Sequence, residues 1–302
     1  MGKSVCPAEW RKNIMDKCEL TEQLYFLIRC LMAEMPEYAG YAIPEDIKQA
    51  FDLYRALCNV RMPSGDTGHT LPDDFYTVQA EVLKNITEQK GITEAADLPP
   101  ARLDERLSLW QGDITRLAAD AIVNAANSQM LGCFSPLHGC IDNVIHSQSG
   151  IELREYMYRQ MEKMKEKYGR DYEQPTAVPM ISPAFNLPAK HVIHVVGPIV
   201  SPYLTQTHKE QLARCYRACL DLAAENGCEI IAFCCISTGV FMFPPQKAAE
   251  IAVATVKKWL DEHPDSCMKK VIFDVFKDSD LAIYQKLLGT PGRDARGFKK
   301  IR

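Results

Sequence analysis

The sequence predicts a three-layer α/β/α sandwich that is preceded by a helical extension. Up to about residue 100 the apolar residues recur with helical spacing. Beyond that point, short runs rich in β-branched residues alternate with segments of helical length. Strands separated by helices need crossover connections, which favours a largely parallel or mixed sheet with helices on both faces.

The N-terminal part is predicted to be wholly helical. Helices are expected over residues 8–36, 44–59 and 72–90. Four apolar residues of the first helix fall on one face: Leu24, Leu27, Ile28 and Leu31. Residues 91–102 contain two consecutive prolines and are the expected domain boundary. The predicted organisation is therefore a helical extension (1–100), the main domain (101–290) and a basic tail (291–302).

The main domain is predicted to contain five strands and three long helices. The strands are expected at 107–110, 121–124, 191–196, 230–236 and 271–276, and the helices at 142–167, 208–226 and 245–263. Ligands of such sheets bind beyond the carboxyl ends of the strands. Chemistry is therefore expected in the loops after Asn124 and Ile236.

Composition excludes several classes of protein. With 302 residues, 47% of them hydrophobic, the chain can bury a sizeable core. The formal net charge is −4, so nucleic acid is not the expected partner. The sequence contains neither a secretory signal nor an apolar run of about 18 residues, so a cytoplasmic protein without a membrane span is expected. The twelve cysteines are interpreted as free thiols, and five as small core residues: Cys215, Cys219, Cys228, Cys234 and Cys235.

Two motifs follow the first two strands of the main domain, Gln111-Gly112-Asp113-Ile114-Thr115 and Ile122-Val123-Asn124-Ala125-Ala126-Asn127. An aspartate can accept from an exocyclic amine, and asparagines can bind ribose hydroxyls. Alternatively, Asp113 caps a turn and the asparagines serve turns. In tandem, the motifs resemble those of the macrodomain family. The resemblance implies that Asp113 binds the adenine amino group, Ile114 donates its backbone N–H nearby, and Asn127 faces the distal ribose.

A glycine-containing loop follows the fourth predicted strand: Ser237, Thr238, Gly239, Val240 and Phe241. Free backbone N–H groups before a helix can hold anionic oxygens, and in macrodomains this loop covers the diphosphate. Phe276 matches the family's wall beside adenine, or is simply a core phenylalanine.

Cys133, His138 and Cys140 lie within eight residues and are candidate metal ligands. Two thiolates and one imidazole suit zinc, and three protein ligands leave the fourth position open, as in catalytic sites. The spacing is not that of a standard zinc finger, and a disulfide between the two cysteines is the alternative. The segment resembles the zinc-dependent macrodomain subfamily, whose members also carry an N-terminal helical extension.

The candidate catalytic residues are Asn127 and Asp142. Asp142 either caps the following helix or orients a water or ligand near the metal, whereas His146 is expected to pack against the site. Zinc would act as a Lewis acid or lower the pKa of a bound water to about 7.

The resemblance implies a hydrolase that binds ADP-ribose and removes mono-ADP-ribose from acidic side chains of modified proteins. It also implies a functional link to a sirtuin-like ADP-ribosyltransferase. The alternatives are a reader that binds ADP-ribose without cleaving it and a deacetylase of O-acetyl-ADP-ribose.

Overall fold

The computed structural model describes residues 17–38 and 40–290. Residues 8–16 of the first predicted helix and the basic tail therefore lie outside the described residues. The described helices are α1 (Lys17–Glu34), α2 (Ile47–Val60), α3 (Ser64–Thr67), α4 (Asp73–Lys90), α5 (Ile141–Ser149), α6 (Ile151–Tyr168), α7 (Gln206–Glu225), α8 (Pro245–Glu262) and α9 (Asp278–Leu288). The strands are β1 (Thr93–Glu94), β2 (Leu107–Gln111), β3 (Leu117–Ala118), β4 (Ala121–Ala126), β5 (Met180–Pro183), β6 (His191–Val196), β7 (Ile230–Phe233) and β8 (Lys270–Val275).

Helices α1, α2 and α4 form an N-terminal helical unit with a core of its own. The predicted apolar face of α1 is fully buried in it, together with Tyr54 of α2 and Phe75 of α4. Asp46 caps α2, since its side chain accepts a hydrogen bond from the backbone N–H of Gln49 at 2.9 Å. Ile151, at the start of α6, also joins this core, so the unit packs on the main domain.

The main domain is built on a six-stranded mixed sheet with the order β2-β8-β7-β4-β6-β5. The first five strands are mutually parallel, and β5 pairs antiparallel with β6. One face is covered by α7, α8 and α9, where Tyr216 packs on Phe233 with ring centroids 4.9 Å apart. The other face is covered by α5 and α6, where the ring centroids of His146 and His194 are 5.9 Å apart. The predicted three-layer α/β/α arrangement is confirmed.

Several predicted boundaries were wrong. The helix expected over 142–167 is two helices, because Gly150 between them adopts φ +95°, which a continuous helix does not allow. The strand expected over 230–236 ends at Phe233, where the chain leaves the sheet for a turn. Strand β5 and helix α9 were missed: β5 contains Pro183, and α9 is a short helix that mixes polar and apolar residues.

In the described part of the chain, no helix has the length and apolar character needed to cross a membrane. Each cysteine described there is a free thiol. Cys215, Cys219, Cys228 and Cys234 are buried as expected, whereas Cys235 is half-buried.

Candidate active site

The residues singled out in the sequence gather along one edge of the sheet. Strands β2, β8, β7 and β4 are parallel neighbours, so their carboxyl ends meet at this edge. Asp113 follows β2, Phe276 follows β8, the β7–α8 loop (residues 234–244) follows β7, and Asn127 follows β4. This is the edge where parallel sheets bind ligands.

Asp113 caps a single 3₁₀ turn over Ile114–Arg116. Its Oδ1 accepts hydrogen bonds from the backbone N–H of Thr115 at 3.1 Å and from the Thr115 hydroxyl at 2.6 Å. The capping alternative is therefore realised, but these contacts use one carboxylate oxygen and leave Oδ2 for a ligand. Capping and adenine recognition are compatible roles for the same side chain.

The β7–α8 loop is held in an unusual backbone conformation. Ser237 and Met242 both have positive φ, +66° and +57°, which is uncommon for residues other than glycine. The backbone N–H of Phe243 donates to the Ser237 carbonyl at 2.9 Å, and that of Val200 donates to the Phe241 carbonyl at 2.9 Å. Helix α8 begins directly after the loop at Pro245, as predicted. The fold thus fixes the loop before any ligand arrives.

Three apolar side chains at this edge of the sheet are open to solvent, one after β8 and two in the β7–α8 loop. Phe276 is 79% exposed, and Val240 and Met242 are similarly exposed. Phe276 is therefore not a core residue, which removes that alternative. An exposed aromatic ring at the end of the neighbouring strand β8 is available to stack on a nucleobase.

The candidate metal ligands lie in an irregular segment between β4 and α5, here called the metal loop (residues 131–140). Single ligand atoms of Cys133, His138 and Cys140 all lie within 4.8 Å of one another. The Cys133 Sγ atom is 3.6 Å from the His138 Nδ1 atom. Tetrahedral zinc with bonds of about 2.3 Å to sulfur and about 2.05 Å to nitrogen requires about 3.6 Å between those atoms. The three side chains fit a zinc ion.

Cys140, rather than Asp142, is the N-cap of α5. Its Sγ accepts a hydrogen bond from the backbone N–H of Asn143 at 3.4 Å. Burial raises the pKa of the Cys140 thiol to about 11, and the neighbouring Cys133 thiol adds to this rise. A bound cation offsets both effects, because it favours the thiolate. Asp142 lies in the first turn of α5, so the capping alternative for it is wrong.

Asp142 and Asn127 are joined beneath the metal loop. The Asn127 amide donates to the Gly132 carbonyl at 3.1 Å and to Asp142 Oδ2 at 3.4 Å, while its Oδ1 accepts from the backbone N–H groups of Gln129 and Met130. Asp142 is 5% exposed. Burial raises the pKa of its carboxyl to about 6, so it can exchange a proton near neutral pH.

Two buried polar residues of the sheet support Asp142: Asn124, whose motif was interpreted as binding ribose or forming a turn, and His194, which the sequence analysis did not assign to the site. Asn124 donates to Asp142 Oδ1 at 2.8 Å and lies 3.1 Å from His194 Nδ1, whose ring also contacts the Ser182 hydroxyl at 3.0 Å. Burial lowers the pKa of His194 to about 3, so its ring is neutral. The signal in the sequence was a polar residue at an inward position of an apolar strand, in Asn124 and again in His194. His146 packs beside this group, with Nε2 3.6 Å from Asp142 Oδ1.

Known proteins match most of the chain. Residues 123–252 match the family model described as Macro domain. A protein-ADP-ribose hydrolase of Treponema medium is 48% identical over 269 residues, which cover 88% of this chain and 98% of that protein. The chain belongs to the macro domain family. A second protein-ADP-ribose hydrolase, from Staphylococcus aureus strain MRSA252, is 39% identical to this macrodomain protein over 265 residues. The match covers 87% of this chain and 94% of the staphylococcal protein.

A solved structure extends the likeness beyond the sheet. The crystal structure of the Trypanosoma brucei macrodomain in complex with ADP-ribose superposes on this macrodomain with a TM-score of 0.55 at 25% identity. The match covers 84% of this chain and 94% of the trypanosomal one. The predicted macrodomain fold is confirmed, and this chain has an N-terminal helical segment.

Proposed function

We propose that this macrodomain is a zinc-dependent hydrolase that removes mono-ADP-ribose from acidic side chains of modified proteins. Relatives that are 38–48% identical over most of the chain are named protein-ADP-ribose hydrolase, and this supports the reaction class. The observation that carries the zinc dependence is the 3.6 Å separation of Cys133 Sγ and His138 Nδ1, with the Cys140 thiol close to both.

The substrate is proposed to lie along the carboxyl edge of the sheet. Asp113 Oδ2 receives the adenine amino group, and the exposed ring of Phe276 covers the base. The backbone of Ser237–Phe241 surrounds the diphosphate, because its strained turn and the start of α8 present backbone N–H groups. The distal ribose then reaches Asn127, next to the metal loop.

Cys133, His138 and Cys140 would hold the zinc ion. When bound with three protein ligands, zinc supplies a Lewis acid for a ribose or scissile oxygen, or a water whose pKa falls to about 7. Asn127 orients the ribose end of the substrate, since its amide is itself fixed by Gly132 and Asp142. Asp142 fixes Asn127 and, with a pKa near 6, can hold or release a proton beside the cleft.

The test is metal analysis of the purified protein, combined with turnover of defined substrates before chelation, after chelation and after zinc is returned. We expect about one zinc per chain and activity that is lost and restored. The substrates are peptides that carry mono-ADP-ribose on glutamate, on serine or on arginine, together with O-acetyl-ADP-ribose. Cleavage of the glutamate-linked peptide alone among the peptides is the expected pattern.

Each alternative predicts a different result. A chelated protein with full turnover contradicts zinc dependence. Tight binding of ADP-ribose without turnover of any substrate indicates a reader. Faster turnover of O-acetyl-ADP-ribose than of the modified peptide indicates a deacetylase, and cleavage of the serine or arginine linkage contradicts the acidic specificity. A link to a sirtuin-like transferase is supported when the peptide modified by such an enzyme is the best substrate.

A further inference from the structure

A buried arginine joins the N-terminal helical unit to the metal loop. Arg154 of α6 is 5% exposed, and its guanidinium donates to backbone carbonyls on two sides. On one side these belong to the end of α2, and the N–O distances are 2.9 Å to Cys58, 2.9 Å to Asn59 and 2.7 Å to Arg61. On the other side they belong to the metal loop, at 2.7 Å for Leu131 and 3.5 Å for Cys133.

The chemistry of these contacts favours a fixed arrangement. The last carbonyls of a helix have no partner within the helix and carry partial negative charge, so a cation stabilises them. The guanidinium also lies over the ring of Phe134, 4.1 Å from its centroid, within the metal loop. Burial lowers the pKa of Arg154 only to about 10, so the side chain remains charged at neutral pH. A planar fork with five donors can bridge both sides at once, which lysine cannot do.

A buried asparagine makes the second connection, closer to a metal ligand. Asn59, near the end of α2, accepts a hydrogen bond on Oδ1 from the backbone N–H of Leu137 at 3.0 Å, and its amide donates to the Ser147 hydroxyl at 3.1 Å. Leu137 has φ +54°, an uncommon conformation for a residue other than glycine. It directly precedes His138, so this hydrogen bond fixes the backbone that presents the imidazole.

The metal loop has little internal support. It contains no helix or strand, and His138 is exposed. Its own backbone contributes the hydrogen bond from the His138 N–H to the Ser135 carbonyl at 3.2 Å. The Ser135 carbonyl also accepts from the Asn143 amide of α5 at 2.9 Å, and Asn143 Oδ1 in turn lies 3.4 Å from an Arg55 nitrogen of α2. The main domain adds a hydrogen bond from Asn127 to the Gly132 carbonyl, and the external contacts of Ser135 and Leu137 lead back to α2.

We propose that Asn59 and Arg154 are positioning residues for the metal ligands, and that the N-terminal helical unit thereby sets the zinc affinity of the loop. This inference rests on the proposed zinc site. Groups that hold metal ligands in place commonly change metal affinity by about 10- to 100-fold when they are removed. The contacts of Asn59 and Arg154 are to the metal loop and not to the adenine or diphosphate regions, so the affinity for ADP-ribose should be unaffected.

The chain offers a matched control at the same interface. Gln79 of α4 is also a fully buried amide of the N-terminal helical unit, and it contacts Tyr54, Glu152 and the backbone N–H of Ile151. These contacts join the unit to the start of α6 and do not touch the metal loop. Asn59→Ala and Gln79→Ala thus each remove a buried bridging amide, but only the first removes a contact to the loop.

The experiment measures zinc affinity by competition with a chromophoric chelator in the full-length protein, for the wild type, Asn59→Ala and Gln79→Ala. We expect the zinc Kd to rise about 10- to 100-fold in Asn59→Ala and to stay within about 2-fold in Gln79→Ala. ADP-ribose affinity, measured by calorimetry, should stay within about 2-fold in both. Arg154→Lys keeps the positive charge but loses the planar guanidinium, so the zinc Kd should rise in this variant too. Melting temperatures without zinc show whether the two alanine variants lose comparable stability.

Two results would overturn the inference. One is an Asn59→Ala protein with wild-type zinc affinity. The other is equal loss of zinc affinity in Asn59→Ala and Gln79→Ala, which would mean that the N-terminal helical unit acts only through general stability. A wild-type protein that binds no zinc overturns the proposed function as well, so the failure of each hypothesis is recognisable.

Discussion

Two loops at the same edge of the sheet are built in different ways. The β7–α8 loop is stabilised from within the main domain, by backbone hydrogen bonds from Phe243 to Ser237 and from Val200 to Phe241. The metal loop is held by Asn59, which belongs to α2, and by Arg154 of α6, which also binds the end of α2. The first loop is part of the sandwich, whereas the second needs the helices that precede it.

This difference separates binding from chemistry. The β7–α8 loop is held by backbone hydrogen bonds within the main domain, so the site proposed for the diphosphate is complete without the N-terminal helical unit. The proposed metal site lies at the boundary between this unit and the main domain. A substitution in this unit is therefore expected to change the turnover more than it changes the affinity for ADP-ribose.

The largest effect is expected from removing a metal ligand. His138→Ala should lower turnover of a mono-ADP-ribosylated peptide by more than about 100-fold. Removing only a group that holds a metal ligand in place already lowers metal affinity or activity by about 10- to 100-fold. ADP-ribose affinity should remain within about 3-fold, because the proposed contacts of adenine and diphosphate are left intact. Steady-state kinetics and calorimetry on the same preparations measure the two quantities.

His69→Ala is the matched control, since His69 is an exposed histidine between α3 and α4 whose backbone N–H binds Thr67. It should behave as the wild type in both assays. If His138→Ala loses binding and turnover together, the metal loop holds the ligand as well and the proposed division between the two loops is wrong.

The next effect concerns the β7–α8 loop. A Cβ atom on Gly197 would overlap with Ser237 Oγ and lie 2.8 Å from Ile236 Cγ2. Because Ser237 is buried at a strained φ, Gly197→Ala should lower stability by about 1–3 kcal/mol and weaken ADP-ribose binding by about 10-fold. Its zinc affinity should not change. Calorimetry and chelator competition test both statements.

Gly239→Ala provides the comparison within the same loop, because a Cβ atom there would meet no atom within 4 Å. This variant should keep the stability of the wild type. Equal stability of the two glycine variants would show that contact with Gly197 does not fix the loop.

Much of the fold was predictable because the sequence repeats simple periodic signals. The apolar stripe of Leu24, Leu27, Ile28 and Leu31 has helical spacing, and the core strands are short, mostly apolar runs. Strand β5 was missed, because an edge strand of four residues that contains proline gives no such signal. Helix α9 was missed because it is short and its buried residues, Asp280, Tyr284 and Leu288, do not form an apolar stripe.

The site was predictable where local motifs form it and not where distant segments do. Asp113, Asn127 and the cysteines of the metal loop belong to short motifs with fixed spacing. Asn59 and Arg154 come from α2 and α6, 95 positions apart, and only the packing of the N-terminal helical unit brings them together. One signal was present: Arg154 lies three residues before Met157 and seven before Met161, on the buried face of α6.

The smallest effect concerns three buried polar side chains beneath the metal loop, here called the polar floor: Asn124, Ser182 and His194. The neighbouring strand β7 carries the apolar residues Ile231 and Phe233 instead. The pKa of His194 is lowered by burial to about 3, so the unfolded chain binds a proton below about pH 6.5 that the folded chain does not. Stability that is present above that pH is therefore lost as the pH falls, by about 0.7 kcal/mol between about pH 7 and about pH 6 for one such group. His194→Asn removes this loss. Between about pH 7 and about pH 6 its unfolding free energy should therefore rise by about 0.7 kcal/mol relative to that of the wild type. Urea denaturation at constant zinc measures the difference. His191→Asn, at the half-buried start of the same strand, is the control. A pH dependence that is identical in the wild type and His194→Asn would mean that His194 takes up its proton in the folded protein as it does in the unfolded chain, so that the polar floor beneath Asp142 gains positive charge as the pH falls.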